Sequence, residues 1–276
     1  MTDWPVERWL SDAEIAEIEY SIYWNDEEEE REKPLYVLDG DFAKMERYLD
    51  ATELPRDLKA CADAFRSELG RPLSGVGVDL AAGNLWAVPH LLKLGAVEKL
   101  YCVEYSFHRL AKNGPRVLEH YGVPPEKIVL VRGSFYDLHL PDGSVDFVLL
   151  SQAFHHADRP GELLKEIRRV LKSSGGVIII GEHTVREWRE RIAKAAKFVI
   201  GAVLTPEAQA KLFGRSFHSD VSRGRTLGTL SDSILGDHLY TIRAYRHLFS
   251  SHGFKARRIR NRRTRHQSFV LTRMPS

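Results

Sequence analysis

The chain has 276 residues, 43% of them hydrophobic and 28% charged, with a formal net charge of +2, which reads as soluble and globular and forces no acidic partner. Its two cysteines, Cys61 and Cys102, lie far apart without metal or redox spacing, which suits a reducing cytoplasm and argues against a disulfide framework. Met1–Leu10 lacks the apolar core of a signal peptide, and the longest apolar runs, such as Val177–Ile180 and Phe198–Leu204, are too short to span a bilayer.

Residues 1–70 read as a helical N-terminal cap. Ser11 and Glu14 form a capping box ahead of Ile15, Ile18 and Ile22 at helical spacing. Asp39-Gly40-Asp41 opens a second helix carrying Phe42, Met45, Tyr48 and Leu49. A third runs from near Pro55 to Gly70. The acidic run Asp26–Glu30 reads as a solvated face. Tyr20, Tyr23 and Trp24 cluster near one face of the cap and are candidate substrate residues; they either close over a bound ligand or pack against the core.

The pattern changes over 71–183. Gly75–Leu80, Lys99–Glu104, Ile128–Arg132, Val145–Ser151 and Gly176–Gly181 read as strands. Between them Leu85–Leu94, Ser106–Tyr121 and Gly161–Leu171 read as helices, the second broken at Gly114-Pro115. Such alternation implies a parallel sheet with right-handed crossovers. Residues 184–238 interrupt it with a basic amphipathic stretch and a loop rich in Ser, Gly and Asp, an insertion expected to cap the substrate. Residues 239–276 resume with a helix from Thr241 to Ser250 and a closing hairpin, Lys255–Arg262 and His266–Thr272. The fold class expected is α/β: a doubly wound, mostly parallel, seven-stranded sheet ending in an antiparallel hairpin.

The first strand runs into Val78-Asp79-Leu80-Ala81-Ala82-Gly83-Asn84 and then a helix. A strand–turn–helix unit of this kind brings backbone N–H groups to the carboxyl edge of the sheet, where ligands bind. Asp79 can accept a hydrogen bond from a cationic amine, and Gly83 permits close backbone approach. Glu104, 21 residues after Gly83, ends the second strand, where a carboxylate can hold ribose hydroxyls. The spacing disfavours a dinucleotide: the frame reads Ala81-x-Gly83-x-x-Trp86, with a bulky residue where the helix must pack closely, and Gly75-x-Gly77 lies inside the strand.

Further along stand Gly133-Ser134-Phe135-Tyr136-Asp137, Leu140-Pro141-Asp142-Gly143-Ser144-Val145-Asp146-Phe147, Phe154-His155-His156-Ala157-Asp158 and Arg169-Val170-Leu171-Lys172 with Gly175-Gly176. In this order the motifs resemble the class I SAM-dependent methyltransferases, particularly the small-molecule group. The resemblance covers residues 75–182 well and 240–273 loosely. It implies S-adenosylmethionine as cofactor and S-adenosylhomocysteine (SAH) as product. It places Asp79 and Gly83 along the methionine part, with Ala81 in the same loop, Glu104 at the ribose, Ser134 and Phe135 flanking the adenine, and Ser151 and Gln152 beside the transferred methyl. The family's first and third loop glycines are Ala81 and Leu85 here, and Ser134 replaces the acid often found at the adenine amine.

His155 and His156 follow the fourth strand, near the expected methyl position, and imidazole suits proton removal at neutral pH. Each is either a general base or a packing residue, with His156 favoured as the base. His183 follows the fifth strand toward the same edge and is a candidate substrate residue. No helical H-x-x-x-H or CxxC spacing supports a metal site there, and none is expected. From Lys255 to Arg273 there are eight Lys or Arg and no acids. That composition fits a guarded edge hairpin better than a nucleic-acid surface. The function expected is methyl transfer to oxygen or nitrogen of a small or medium-sized metabolite, in the cytoplasm, with neither nucleic acid nor membrane as partner. The alternatives are an RNA or protein methyltransferase using the basic hairpin, and a non-catalytic SAM-binding regulatory protein.

Overall fold

The computed structural model describes residues 4–17, 30–185 and 238–275. Within them, strands β1 (Val6–Arg8), β2 (Ser74–Leu80), β3 (Ala96–Glu104), β4 (Ile128–Arg132), β5 (Val145–Ser151), β6 (Leu171–Glu182), β7 (Phe254–Arg260) and β8 (Gln267–Arg273) form one sheet in the order β1-β4-β3-β2-β5-β6-β8-β7. Pairing is parallel from β1 to β6 and antiparallel where β8 meets β6 and β7. The helices are α1 (Asp12–Glu17), α2 (Phe42–Thr52), α3 (Leu54–Leu69), α4 (Ala87–Leu94), α5 (Gly114–His120), α6 (Pro160–Val170) and α7 (Ile242–Ser251).

The sheet has eight strands where the sequence pattern predicts seven. The extra one is β1, which lies inside the segment read as helical and pairs Val6 with Leu130 and Arg8 with Arg132. Three residues cannot show a period, and this strand exists because β4 offers it an open edge. The third predicted helix, α3, is likewise part of the core. Its Leu58, Cys61 and Phe65 share a buried layer with Phe147 of β5 and Ile178 of β6.

The central strands are buried on both faces, so each contributes to two cores. Phe147 and Leu149 join the layer under α3 and α4, while Val148 and Leu150 join that under α6 and α7. Local signals fix the helix ends. The Ser11 hydroxyl accepts from the Glu14 amide at 3.2 Å, and Glu14 accepts from the Ser11 amide at 2.6 Å. Asp41 accepts from the Lys44 amide at 2.9 Å, and Gly70 closes α3 at φ 70°. The expected break at Gly114 is a change of helix type: His108–Asn113 form a π-helical turn that passes directly into α5.

The chain runs outward from β2 through β3 to β4, then returns to β5 on the other side of β2. Connections diverge at the carboxyl ends of β2 and β5, which opens a crevice there. Inside β2 the two glycines serve packing. A Cβ on Gly77 would run into the Phe147 ring, and one on Gly75 into the Asp146 carboxylate, which accepts from the Val76 amide at 3.0 Å. Gly77→Ala should therefore displace a buried ring at the sheet centre and cost about 1–3 kcal/mol. Urea denaturation would measure it; an unchanged midpoint would mean that Phe147 is not held against β2.

Candidate active site

The crevice holds a cavity of about 360 Å³. It is lined by every residue that the sequence assigns to the cofactor: Asp79, Ala81, Gly83, Glu104, Ser134, Phe135, Ser151 and Gln152. After β2 the chain turns through three left-handed residues, Ala81 (φ 53°), Gly83 (φ 57°) and Leu85 (φ 67°). Hydrogen bonds from the Ala82 amide to Val103 O and from the Leu85 amide to Ala82 O hold this turn. A Cβ on Gly83 would meet nothing within 4 Å, so the loop faces open space.

Glu104 ties the loop to the next strand. Its Oε2 accepts from the Gly83 amide at 2.7 Å, and its Oε1 accepts from the Tyr105 and Ser106 amides, each at 2.8 Å. A carboxylate has about four acceptor positions, so one on Oε2 remains for a hydroxyl. Asp79 is only 1% exposed, and neither of its oxygens has a hydrogen-bond partner. Burial, reinforced by the charge of Glu104, pushes its carboxyl up to about 8. Asn84 Oδ1 and Ser151 Oγ on the same wall are also buried and unpartnered. Unsatisfied buried acceptors around a carboxylate call for a cationic donor, and the amino group of SAM is one. The residues present fit that cofactor.

The structure separates the two candidate histidines. His156 lines the cavity. His155 is buried behind it, Nδ1 at 3.0 Å from Glu182, with the two rings 4.2 Å apart. Glu182 is fully buried and also accepts from the Tyr245 hydroxyl at 2.8 Å and from the Phe154 amide at 3.2 Å. Burial alone would raise the Glu182 carboxyl, but the charge and hydrogen bond of His155, with that of Tyr245, hold it below its ordinary range. His183 is exposed at the end of β6, 6.1 Å from the His155 ring and 5.0 Å from that of His266; it is not among the residues lining the cavity. Tyr20, Tyr23 and Trp24 lie outside the described residues.

Three further contacts shape the wall. Glu30 ends the acidic run read as solvated, yet it is buried in an ion pair with Arg109, which lines the cavity. The Tyr48 hydroxyl donates to Gln152 Oε1 at 3.3 Å. The Arg159 guanidinium lies 4.4 Å over the Tyr136 ring beside Phe135. Of Arg109, Tyr48 and Arg159, which the sequence did not assign to the site, only Tyr48 had a signal, its helical phase with Met45 and Leu49.

Residues 78–180 match the family model described as a methyltransferase domain. No curated protein matches the chain. Several solved structures share the fold. One is the 1,6-didemethyltoxoflavin-N1-methyltransferase of Burkholderia thailandensis, solved with 1,6-didemethyltoxoflavin and S-adenosylhomocysteine (15% identity, 87% of this chain and 88% of that one, TM-score 0.52). Another is the YcgJ protein of Bacillus subtilis (10% identity, 79% and 99%, TM-score 0.52). A third comes from a complex of the Haloferax volcanii Trm112 methyltransferase activator with a methyltransferase candidate (17% identity, 83% and 96%, TM-score 0.50). The matched domain, with a site suited to this cofactor, defines a SAM-dependent methyltransferase of the class I fold. The matched span runs from the end of β2 through most of β6 and carries the acidic loop, Glu104 and the two histidines.

Two predictions follow from the acids. The Asp79 carboxyl is raised in the folded protein, so folding takes up a proton there. The stability that this proton confers is present in acid and is lost as pH rises from the ordinary carboxylate range through about 8. A cationic amine favours the ionised form, so SAH binding should expel a proton at neutral pH and tighten as pH rises toward 8. Calorimetry in buffers of different ionisation enthalpy would show this; no proton release at neutral pH would remove Asp79 from the amine site. Glu104→Gln should weaken SAH binding about ten- to a hundred-fold and cost about 1–3 kcal/mol of stability, because three amides lose a charged acceptor. Unchanged SAH affinity in that variant would contradict the ribose assignment.

Proposed function

We propose that this enzyme methylates an oxygen or nitrogen of a small or medium-sized metabolite, with His156 as the base that takes the acceptor proton. The observation that carries the reading is the place of His156 on the cavity wall, beside Ser151 and Gln152 at the end of β5. When bound, SAM supplies a methyl group already activated on a sulfonium, so alignment does much of the work. Asp79 would hold the amine, Glu104 a ribose hydroxyl, and Ser134 with Phe135 the adenine. His155 is fixed by Glu182 and serves as packing behind His156. His156 would take the proton that the acceptor gives up on methylation.

One observation supports a small acceptor over RNA. The body of the basic hairpin is engaged with its own fold: Lys255 and Arg257 pair with Glu68 of α3, and Arg273 donates to Leu171 O. The Burkholderia neighbour, solved with a small heterocycle, shows that the same fold accommodates such a ligand. Cys61 and Cys102 are free and buried, in keeping with the cytoplasm, and among the described residues no helix is long and apolar enough to cross a membrane.

Incubation with cell extract and methyl-labelled SAM should put label in the small-molecule fraction; label confined to RNA or protein would overturn the acceptor class. With the acceptor in hand, His156→Ala should slow single-turnover transfer by roughly 10²–10⁴-fold with little change in SAH affinity. An unchanged rate and pH profile would exclude His156 as the base.

A further inference from the structure

A second cavity, of about 330 Å³, lies between the first turns of α3 and the β7–β8 turn, away from the residues that line the cofactor cavity. Its lining includes Arg56, Asp57, Arg260, Asn261, Arg262 and Arg263. Asn261, 7% exposed, fastens the hairpin turn to the helix. Its Nδ2 donates to Glu53 and Asp57, each at 2.9 Å, and its Oδ1 accepts from the Arg263 and Thr264 amides at 3.0 and 3.2 Å. The arginines thus stand on a fixed frame rather than a loose loop.

Charge in the cleft is unbalanced. Arg56 and Arg263 share one carboxylate, that of Glu53, each at 3.2 Å. Arg260 and Arg262 have no acidic partner among the described residues. Arg260, with Arg246, also bears on Arg258, whose guanidinium is held below its ordinary range by burial first and by those two charges next. The remaining acid, Asp57, is 3% exposed, and its Oδ2 has no partner. Burial raises its carboxyl and the charge of Glu53 adds to that, against the Asn261 hydrogen bond that lowers it.

We propose that this arginine cleft is a binding site for a compact anion, the phosphate or diphosphate group of a small molecule. Guanidinium forks match phosphate oxygens in pairs. A cleft of this volume suits a compact group better than an extended strand. No aromatic side chain lines it, so it has no platform on which a nucleic-acid base would stack. The site is separate from methyl transfer and stands whether or not the acceptor proposed above is correct.

The test is calorimetric titration of the full chain with pyrophosphate, alone and with saturating SAH. Pyrophosphate should bind, and SAH should leave that binding unchanged. The double variant Arg260→Ser/Arg262→Ser should lose it by about ten-fold or more while keeping the wild-type SAH affinity and circular dichroism. The Lys/Lys counterpart should retain part of it, since it keeps charge without the fork. Absence of pyrophosphate binding, retention by the Ser/Ser variant, or displacement by SAH would each overturn the proposal. So would tight, salt-sensitive binding of single-stranded RNA that pyrophosphate does not displace, which would make the cleft part of a nucleic-acid surface.

Discussion

The crevice is organised by two carboxylates at neighbouring strand ends that have opposite jobs. Glu104 satisfies three backbone amides and so fixes the glycine loop to the start of the next helical segment. Asp79, on the adjacent strand, has no hydrogen-bond partner, and burial disfavours its ionised form. A cationic donor from outside would let it ionise. Its neighbours Asn84 and Ser151 sharpen the demand, since their free atoms are also acceptors or hydroxyls. The free protein therefore favours the protonated Asp79, and a ligand cation would favour the ionised one. A group whose ionisation changes on binding couples stability to recognition.

Much of this was legible in the sequence, for reasons that can be traced. Strands buried on both faces read as continuous apolar runs, and Val145–Ser151 is one such run with an identical span in the structure. The residues assigned to the cofactor reach one cavity because they are fixed by chain position: strand end, loop and next strand end. What was not legible depends on partners far away in sequence. Val6–Arg8 is a strand only because β4 has an edge to pair. Glu30 looks like one acid in a run of five, but it is buried by an arginine 79 residues away. His155 and His156 are adjacent and alike in sequence; Glu182, 27 residues beyond His155, decides which of them lies behind the wall.

The topology also explains why the cavity wall at Gln152 draws on so many elements. Gln152 takes a left-handed conformation at the end of β5, φ 51°, which is uncommon for a side chain that size. It is held by the Tyr48 hydroxyl from α2 and by its amide bond to Ile180 O of β6 at 2.8 Å. Gly181, the next residue, leaves the space that the Gln152 side chain occupies, for a Cβ there would sit 2.6 Å from Gln152 Cγ. Helix, strand and glycine together determine one rotatable amide. The N-terminal segment is thus part of the wall as well as of the core.

The loop's departures from the family pattern have a similar account. Ala81 and Leu85 stand where glycines are usual, yet the backbone keeps glycine-like angles at both. A left-handed conformation costs an L-residue roughly 1–2 kcal/mol. At Leu85 something offsets it: the side chain is fully buried, and burying a leucine contributes roughly 1.5–3 kcal/mol. The room for it comes from Gly114, where a Cβ would lie 2.6 Å from Leu85 Cδ1. The bulk added in the loop is accommodated by a glycine at the junction of the π-helical turn and α5, which joins the odd loop residue and the odd helix break into one packing arrangement. Ala81 is only partly buried, and there the left-handed cost is less fully offset. The loop therefore presents Gly83 to the crevice, its amide held by Glu104, with two glycines fewer, because its shape is set by Glu104 and by packing rather than by backbone freedom.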